Sequence, residues 1–215
     1  MLLESVRGSG ISPLEVIIVD DFSTDGTRNY LELNWRSHAD LVVYHSENLG
    51  KGAAVRSGIK AAKGEYVIIQ DADNEYDPSE YRSMLNAIAS EDVDIVYGSR
   101  FLHPDAKITT PFWHRFVNEC LTRFSNLFTG LELTDMETCY KLIPSEWLDS
   151  IEIEEDRFGI EPELTAKLAA RGARIKEVPI SYNRRKFEDG KKIGVIDGFR
   201  AVYVILKYGL KYMGR

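Results

Sequence analysis

The sequence predicts an α/β protein with a mostly parallel sheet flanked by helices, and three observations carry that prediction. Short β-branched runs recur at residues 16–19, 41–44, 66–70 and 94–97, with segments of helical periodicity between them. Strands separated by helices of this length join in parallel through crossovers. Each run also leads into polar residues: Asp20 and Asp21, then Asn48, then Asp71, then Ser99 and Arg100. Ligands of open α/β sheets gather at such carboxyl ends of strands. Finally, 215 residues at 44% hydrophobic, with prolines and glycines scattered rather than clustered, suffice for one well-buried domain over 1–215.

The elements follow in order. After the run at 16–19, Ser23, Thr24 and Asp25 supply turn and cap residues for a helix running towards Trp35. The run at 41–44 leads through Asn48-Leu49-Gly50-Lys51-Gly52 into a helix over 53–62 that stops at Lys63-Gly64. The run at 66–70 ends in an acidic stretch before a helix over 79–90, and the run at 94–97 ends in Gly98-Ser99-Arg100-Phe101. Residues 111–128 form an amphipathic helix with Arg115 and Arg123 among aromatics. Residues 135–142 are a loop entering a strand, 162–171 are helical, and 175–183 are extended around Pro179. A mostly apolar helix over 198–212 lies within an amphipathic closing segment, 196–215, broken by Arg200, Lys207 and Lys211. It is expected to dock on its own sheet, with contact at a membrane surface as the alternative.

A net charge of -7 argues against general nucleic-acid binding. Its distribution is uneven, since residues 171–215 hold 12 Lys and Arg against 4 Asp and Glu. Such an end reads either as a solvated basic face or as a surface for phosphates or anionic lipid headgroups. Cys120 and Cys139 fit no metal-ligand spacing, and neither do His45, His103 and His114. Reduced thiols in a cytosolic protein are expected. The first residues lack a signal-peptide pattern, and the longest uncharged apolar run, 201–206, is too short to span a bilayer. The expected location is cytoplasmic, at most peripheral at the inner face of the membrane.

Asp71, Asp73, Glu75 and Asp77 stand at every second position. In an extended segment side chains alternate faces, so Asp71, Asp73 and Glu75 would point the same way and repel one another unless a cation sat among them. Oxygen-only ligands suit Mg²⁺ or Mn²⁺ and leave coordination positions for substrate phosphates. A solvated acidic turn capping the next helix is the alternative.

Four features now lie in order: Val-Asp-Asp-Phe-Ser-Thr-Asp-Gly-Thr over 19–27, Asn-Leu-Gly-Lys-Gly over 48–52, Asp-Ala-Asp over 71–73 and Gly-Ser-Arg-Phe over 98–101. Together they resemble the family 2 inverting glycosyltransferases of GT-A (Rossmann-like) fold, in the branch similar to dolichol-phosphate mannose synthase and bacterial polyprenyl-phosphate sugar transferases. The resemblance extends through 135–141, 158–167 and 185–194.

It implies a function and a set of roles. The activity would be transfer of a sugar from a nucleotide-sugar donor, a GDP- or UDP-sugar, to a polyprenyl or dolichyl phosphate at the cytoplasmic membrane face. Asp21 would lie against the donor base and Lys51 at the donor. Asp71 and Asp73 would hold the Mg²⁺ or Mn²⁺ that bridges the donor diphosphate, with Glu75 standing where synthase-like members have Gln. Arg100, Arg115 and Arg185 would stabilise the departing diphosphate, because a planar guanidinium matches phosphate oxygens. Lys191 and Lys192 would form a mobile clamp. Asp135 falls where many relatives keep an acid near the acceptor and is the candidate general base, with Glu161 as second choice. A lipid phosphate, already anionic, needs little base assistance. The family's first strand, with its Asn-Glu-Glu motif, has no counterpart here, so residues 1–14 read as the remnant of that unit. The alternatives are a transferase acting on a polysaccharide hydroxyl and an inactive nucleotide-binding module.

Overall fold

A computed structural model of the protein describes residues 2–34, 38–104, 112–183 and 195–212. Helix α1 (Leu2–Arg7) precedes β1 (Ile17–Asp20), α2 (Thr27–Asn34), β2 (Leu41–Tyr44) and α3 (Lys51–Ala61). Then come β3 (Tyr66–Ile68), a 3₁₀ turn (Pro78–Glu80), α4 (Tyr81–Ser90), β4 (Ile95–Ser99) and α5 (Phe112–Thr129). The chain closes with β5 (Lys141–Pro144), α6 (Ser145–Asp149), α7 (Ile160–Ala169), β6 (Ile175–Pro179) and α8 (Val195–Tyr212).

Two sheets result. β1 and β2 pair in parallel, Ile17 opposite Leu41 through Asp20 opposite Tyr44. The second sheet has the order β3-β5-β4-β6, in which β4 and β6 are parallel while β5 runs antiparallel to both of its neighbours. The sheet is therefore mixed. The strand at β5 was anticipated, but its direction depends on how the preceding loop returns across the sheet, which local periodicity does not encode.

Alternation along the central strands divides the core. Ile95 and Tyr97 of β4 and Ile143 of β5 join Leu164, Leu168 and Ile205 on one face. Val96 and Leu142 join Tyr140, Met84 and Tyr81 on the other. β4 is buried on both faces, as a central strand must be.

Among the described residues no strand precedes β1. Helix α1 lies there instead, with Val6 in the same buried cluster as Val16, Tyr81 and Met84. Arg7 ties it down, donating to the Leu14 and His38 carbonyls and to Asp40. The closing helix packs chiefly along two other helices, α5 and α7, where the expectation was the sheet, and buries Ala201, Val204, Ile205 and Tyr208. No helix of the described residues is long and apolar enough to cross a membrane.

Candidate active site

The end of β1 sets two adjacent carboxylates to different tasks. Asp20 is 4% exposed and pairs with Arg28 at 2.8 Å, and Arg28 also donates to the His45 carbonyl, fastening β1 to the end of β2. Asp21 accepts from the Leu49 and Gly50 backbone N–H groups at 2.9 and 2.7 Å and lies 2.8 Å from His45 Nδ1. Burial pushes its pKa up, and these hydrogen bonds outweigh burial and hold it below the ordinary value. Asp21 thus joins the strand end to the loop that opens α3. Asp25 caps the turn that opens α2, accepting from the Thr27 N–H.

The next loop shows why glycines flank Lys51. Gly50 has φ 103°, a conformation that disfavours side chains, and a Cβ there would meet the Asp156 carbonyl at 2.5 Å. A Cβ on Gly52 would meet the Glu155 carbonyl at 1.9 Å. The chain at Glu155 and Asp156 therefore lies directly on the start of α3, where the Ala53 N–H donates to the Asp156 carbonyl at 3.0 Å. Lys51 is directed inward between two acids, with Nζ 2.7 Å from Glu161 Oε1 and 3.1 Å from Asp71 Oδ2. Burial disfavours its charge, but Asp71 and Glu161 raise its pKa well above the ordinary lysine value. Burial likewise pushes Asp71 up, and Lys51 pulls it down by more. Glu161 is therefore an anchor for Lys51.

The acidic stretch after β3 does not stay extended. Asn74 adopts φ 57°, which breaks the two-residue alternation. Asp73 Oδ1 accepts from the Glu75 N–H at 3.1 Å, and Asp77 caps the 3₁₀ turn through the Ser79 N–H. Glu75 Oε2 accepts from the Tyr182 hydroxyl at 2.9 Å. The three carboxylates do not gather, and among the described residues no group of three His, Cys, Asp or Glu side chains is arranged to hold a metal ion. Asp71 and Asp73 offer oxygen donors, the kind a hard divalent ion takes alongside substrate phosphates and water.

At the end of β4, Arg100 and Asp135 form a bidentate pair, Nε to Oδ2 and Nη2 to Oδ1 both at 2.7 Å, and the Arg100 N–H adds a third bond to Oδ2. The Asp135 side chain is 0% exposed. Glu177 of β6 fixes the loop from behind, accepting from the Thr134 and Asp135 N–H groups and from the Thr134 hydroxyl. Arg115 pairs with Glu119 one helical turn on and lies 5.2 Å over the Phe101 ring. With Arg123, Thr122 and Thr134 it lines an open groove of about 200 Å³ beside the end of β4. Arg185, Lys191 and Lys192 lie outside the described residues.

Two residues of this region carry no sequence signal. Lys141 is buried and donates to the Met136 and Thr138 carbonyls, so the loop closes around its ammonium group. Between those carbonyls is Glu137, whose buried Oε1 finds no hydrogen-bond partner among the described residues. Burial, reinforced by the Glu161 carboxylate, pushes its pKa up to about 7. The loop over 135–142 was legible in the sequence, and only tertiary burial distinguishes this carboxyl from its neighbours.

The sheet brings acids, a buried lysine and the Arg100 guanidinium to its strand ends, where an open α/β sheet takes its ligand. Residues 2–151 match the model of glycosyl transferase family 2, and the chain belongs to that family as a glycosyltransferase. It is 28% identical over 203 residues to an undecaprenyl-phosphate mannosyltransferase of Micrococcus luteus, covering 91% of this chain and 82% of that protein. A dodecaprenyl-phosphate galacturonate synthase of Rhizobium johnstonii is 26% identical over 208 residues, 94% of this chain and 59% of that one. The fold matches the crystal structure of glucosyl-3-phosphoglycerate synthase from Mycobacterium tuberculosis with Mn²⁺, UDP-glucose and phosphoglyceric acid, with a TM-score of 0.67 at 22% identity, covering 96% of this chain and 74% of that one.

Proposed function

We propose that this glycosyltransferase moves a sugar from a GDP- or UDP-sugar to a polyprenyl phosphate at the cytoplasmic face of a membrane, with inversion at the anomeric carbon. The carrying observation is the bidentate Arg100–Asp135 pair. A general base must present a free carboxylate to the acceptor, and Asp135 is buried with both oxygens committed to a guanidinium. A phosphate acceptor removes that requirement, because its oxygen is already anionic. That oxygen bonds to the anomeric carbon as the bond to the donor diphosphate breaks, nucleoside diphosphate departs, and no proton has to move. The polyprenyl-phosphate enzymes among the relatives support the same acceptor class.

Asp21, Lys51 and Arg100 line the donor side in this reading. Asp71 and Asp73 would hold Mg²⁺ or Mn²⁺, whose contribution is to neutralise charge on the departing diphosphate. The Glu161 carboxylate keeps Lys51 directed at that position. By the resemblance Arg185, Lys191 and Lys192 would supply further phosphate contacts, and Arg115 with Arg123 would receive the acceptor phosphate in the open groove. Incubating the protein with a nucleotide-sugar panel, Mg²⁺ or Mn²⁺ and polyprenyl phosphate should yield a sugar-lipid product that Asp73→Ala abolishes. Full turnover by that variant would remove the metal assignment.

One observation favours a second reading. Glu137, whose buried Oε1 has no hydrogen-bond partner among the described residues and whose pKa is raised to about 7, has the properties of a general base for a sugar hydroxyl. Polysaccharide acceptors in the same panel separate the two, since only the hydroxyl reaction should be lost in Glu137→Gln.

A further inference from the structure

The acidic stretch after β3 and the segment after β6 are stitched together. The Asn183 N–H donates to the Glu75 carbonyl at 2.8 Å, and the Ser181 N–H donates to Glu80 Oε1 at 2.7 Å. Between these two anchors the Tyr182 side chain reaches back to the same stretch, its hydroxyl donating to Glu75 Oε2 at 2.9 Å. Burial raises the pKa of that hydroxyl, so it stays protonated and donates. The Tyr182 ring centre lies 5.2 Å from the Arg100 guanidinium carbon, and the Phe101 ring centre lies 5.6 Å from it. At such distances a ring face attracts a guanidinium. Asp135 takes Nε and Nη2 of Arg100, so one carboxylate and two rings together set the orientation of the group.

We propose that Glu75 is a positioning residue that acts through Tyr182 on Arg100, and not a ligand of the divalent ion. This rests on the reading that sets Arg100 at the donor diphosphate. Glu75 is the acid that period-two spacing adds to Asp71 and Asp73, but the left-handed turn at Asn74 breaks that alternation and a hydroxyl meets the Glu75 carboxylate. Its own N–H donates to Asp73 Oδ1 at 3.1 Å, so Asp73, Glu75, Tyr182 and Arg100 form one line of contacts. A guanidinium stabilises charge that grows in the transition state when it is already oriented before that charge appears. Without the Glu75 carboxylate the Tyr182 ring loses the anchor that keeps it beside Arg100. The bonds made by the Ser181 and Asn183 N–H groups still hold the segment itself in place.

The test compares Tyr182→Phe, Glu75→Ala, Glu75→Gln and the double variant Tyr182→Phe with Glu75→Ala, reading release of nucleoside diphosphate from a GDP- or UDP-sugar. Tyr182→Phe and Glu75→Ala should each lower kcat by about tenfold with the donor KM close to the parent, the mark of an interaction that counts in the transition state. Glu75→Gln should bring kcat back near the parent, since its amide oxygen accepts from the same hydroxyl. The double variant should be no slower than either single substitution, because both break one contact. Binding of Mn²⁺, alone and with UDP or GDP, followed by electron paramagnetic resonance of the free ion, should be the same in every variant as in the parent. Weaker Mn²⁺ binding in both Glu75 variants with Tyr182→Phe unaffected would make Glu75 a ligand and overturn the proposal. Parent kcat in Tyr182→Phe, or losses that add in the double variant, would overturn it as well. An impaired Arg100→Lys beside an unimpaired Tyr182→Phe refutes the proposal alone, whereas an unimpaired Arg100→Lys refutes the reading of Arg100 and the proposal with it. Release of nucleoside diphosphate is read with or without polyprenyl phosphate, so failure of that acceptor leaves the comparison intact.

Discussion

Replacing Glu137 by Gln makes the electrostatics of the candidate site measurable. Burial and the Glu161 carboxylate raise the folded-state pKa from 4.5 to about 7. The unfolded chain releases this proton near pH 4.5 while the folded protein keeps it to about pH 7, so between those values the folded state binds more protons and stability falls as pH rises. Below pH 4.5 both states are protonated and the penalty vanishes; above pH 7 it is complete. At 1.36 kcal/mol per unit the full difference is about 3 kcal/mol, an upper bound because local water and relaxation reduce it. Glutamine keeps the size and polarity without the charge. Glu137→Gln should therefore match the parent in urea unfolding at pH 4 and exceed it by about 2 kcal/mol at pH 8. Equal stabilities at both pH values would refute the account of Glu137 as a carboxyl held protonated by its surroundings.

Other substitutions probe the supports of the site. Asp135→Asn should destabilise the fold by about 3–5 kcal/mol, because it leaves the Arg100 guanidinium buried without a counter-charge, and thermal unfolding would show the loss. Gly52→Ala should cost about 3 kcal/mol or more, since its Cβ would collide with the Glu155 backbone, while Gly172→Ala, with open space around it, should cost only its backbone strain; urea midpoints distinguish the two. Glu161→Gln should lower donor-dependent turnover by about tenfold or more while leaving the urea midpoint close to the parent, because Lys51 keeps Asp71 as a partner but loses the anchor directing it. Persistence of full turnover would free Glu161 from that role.

Much of this arrangement was legible in the sequence because strand ends announce themselves. The β-branched runs located β1 to β4 within a few residues, and the polar residues after them fall at the edge where the candidate site forms. What escaped depends on tertiary context. Period-two spacing suggested that Asp71, Asp73 and Glu75 face together, but a single residue, Asn74, in the left-handed region redirects them. Asp135 looked like a free acid because its partner, Arg100, comes from a different strand end. Glu161 was legible as an acid of the site, but its pairing with Lys51 was not. The glycines of the Lys51 loop were recognisable as a motif, yet their cause, the backbone at Glu155 and Asp156, comes from the far half of the chain.

Glu155 faces two ways at once. Its carbonyl oxygen lies where any side chain at Gly52 would have to go, and its carboxylate is gripped by Arg200 and Lys207 of α8. One residue is thus a short strut between α8 and the turn that carries Lys51. A displacement of α8 has no slack to absorb it there, because backbone meets backbone on one side and two cations hold the carboxylate on the other. The placement of the lysine ammonium beside Asp71 is consequently referenced to the outer surface of the protein as well as to the sheet beneath it.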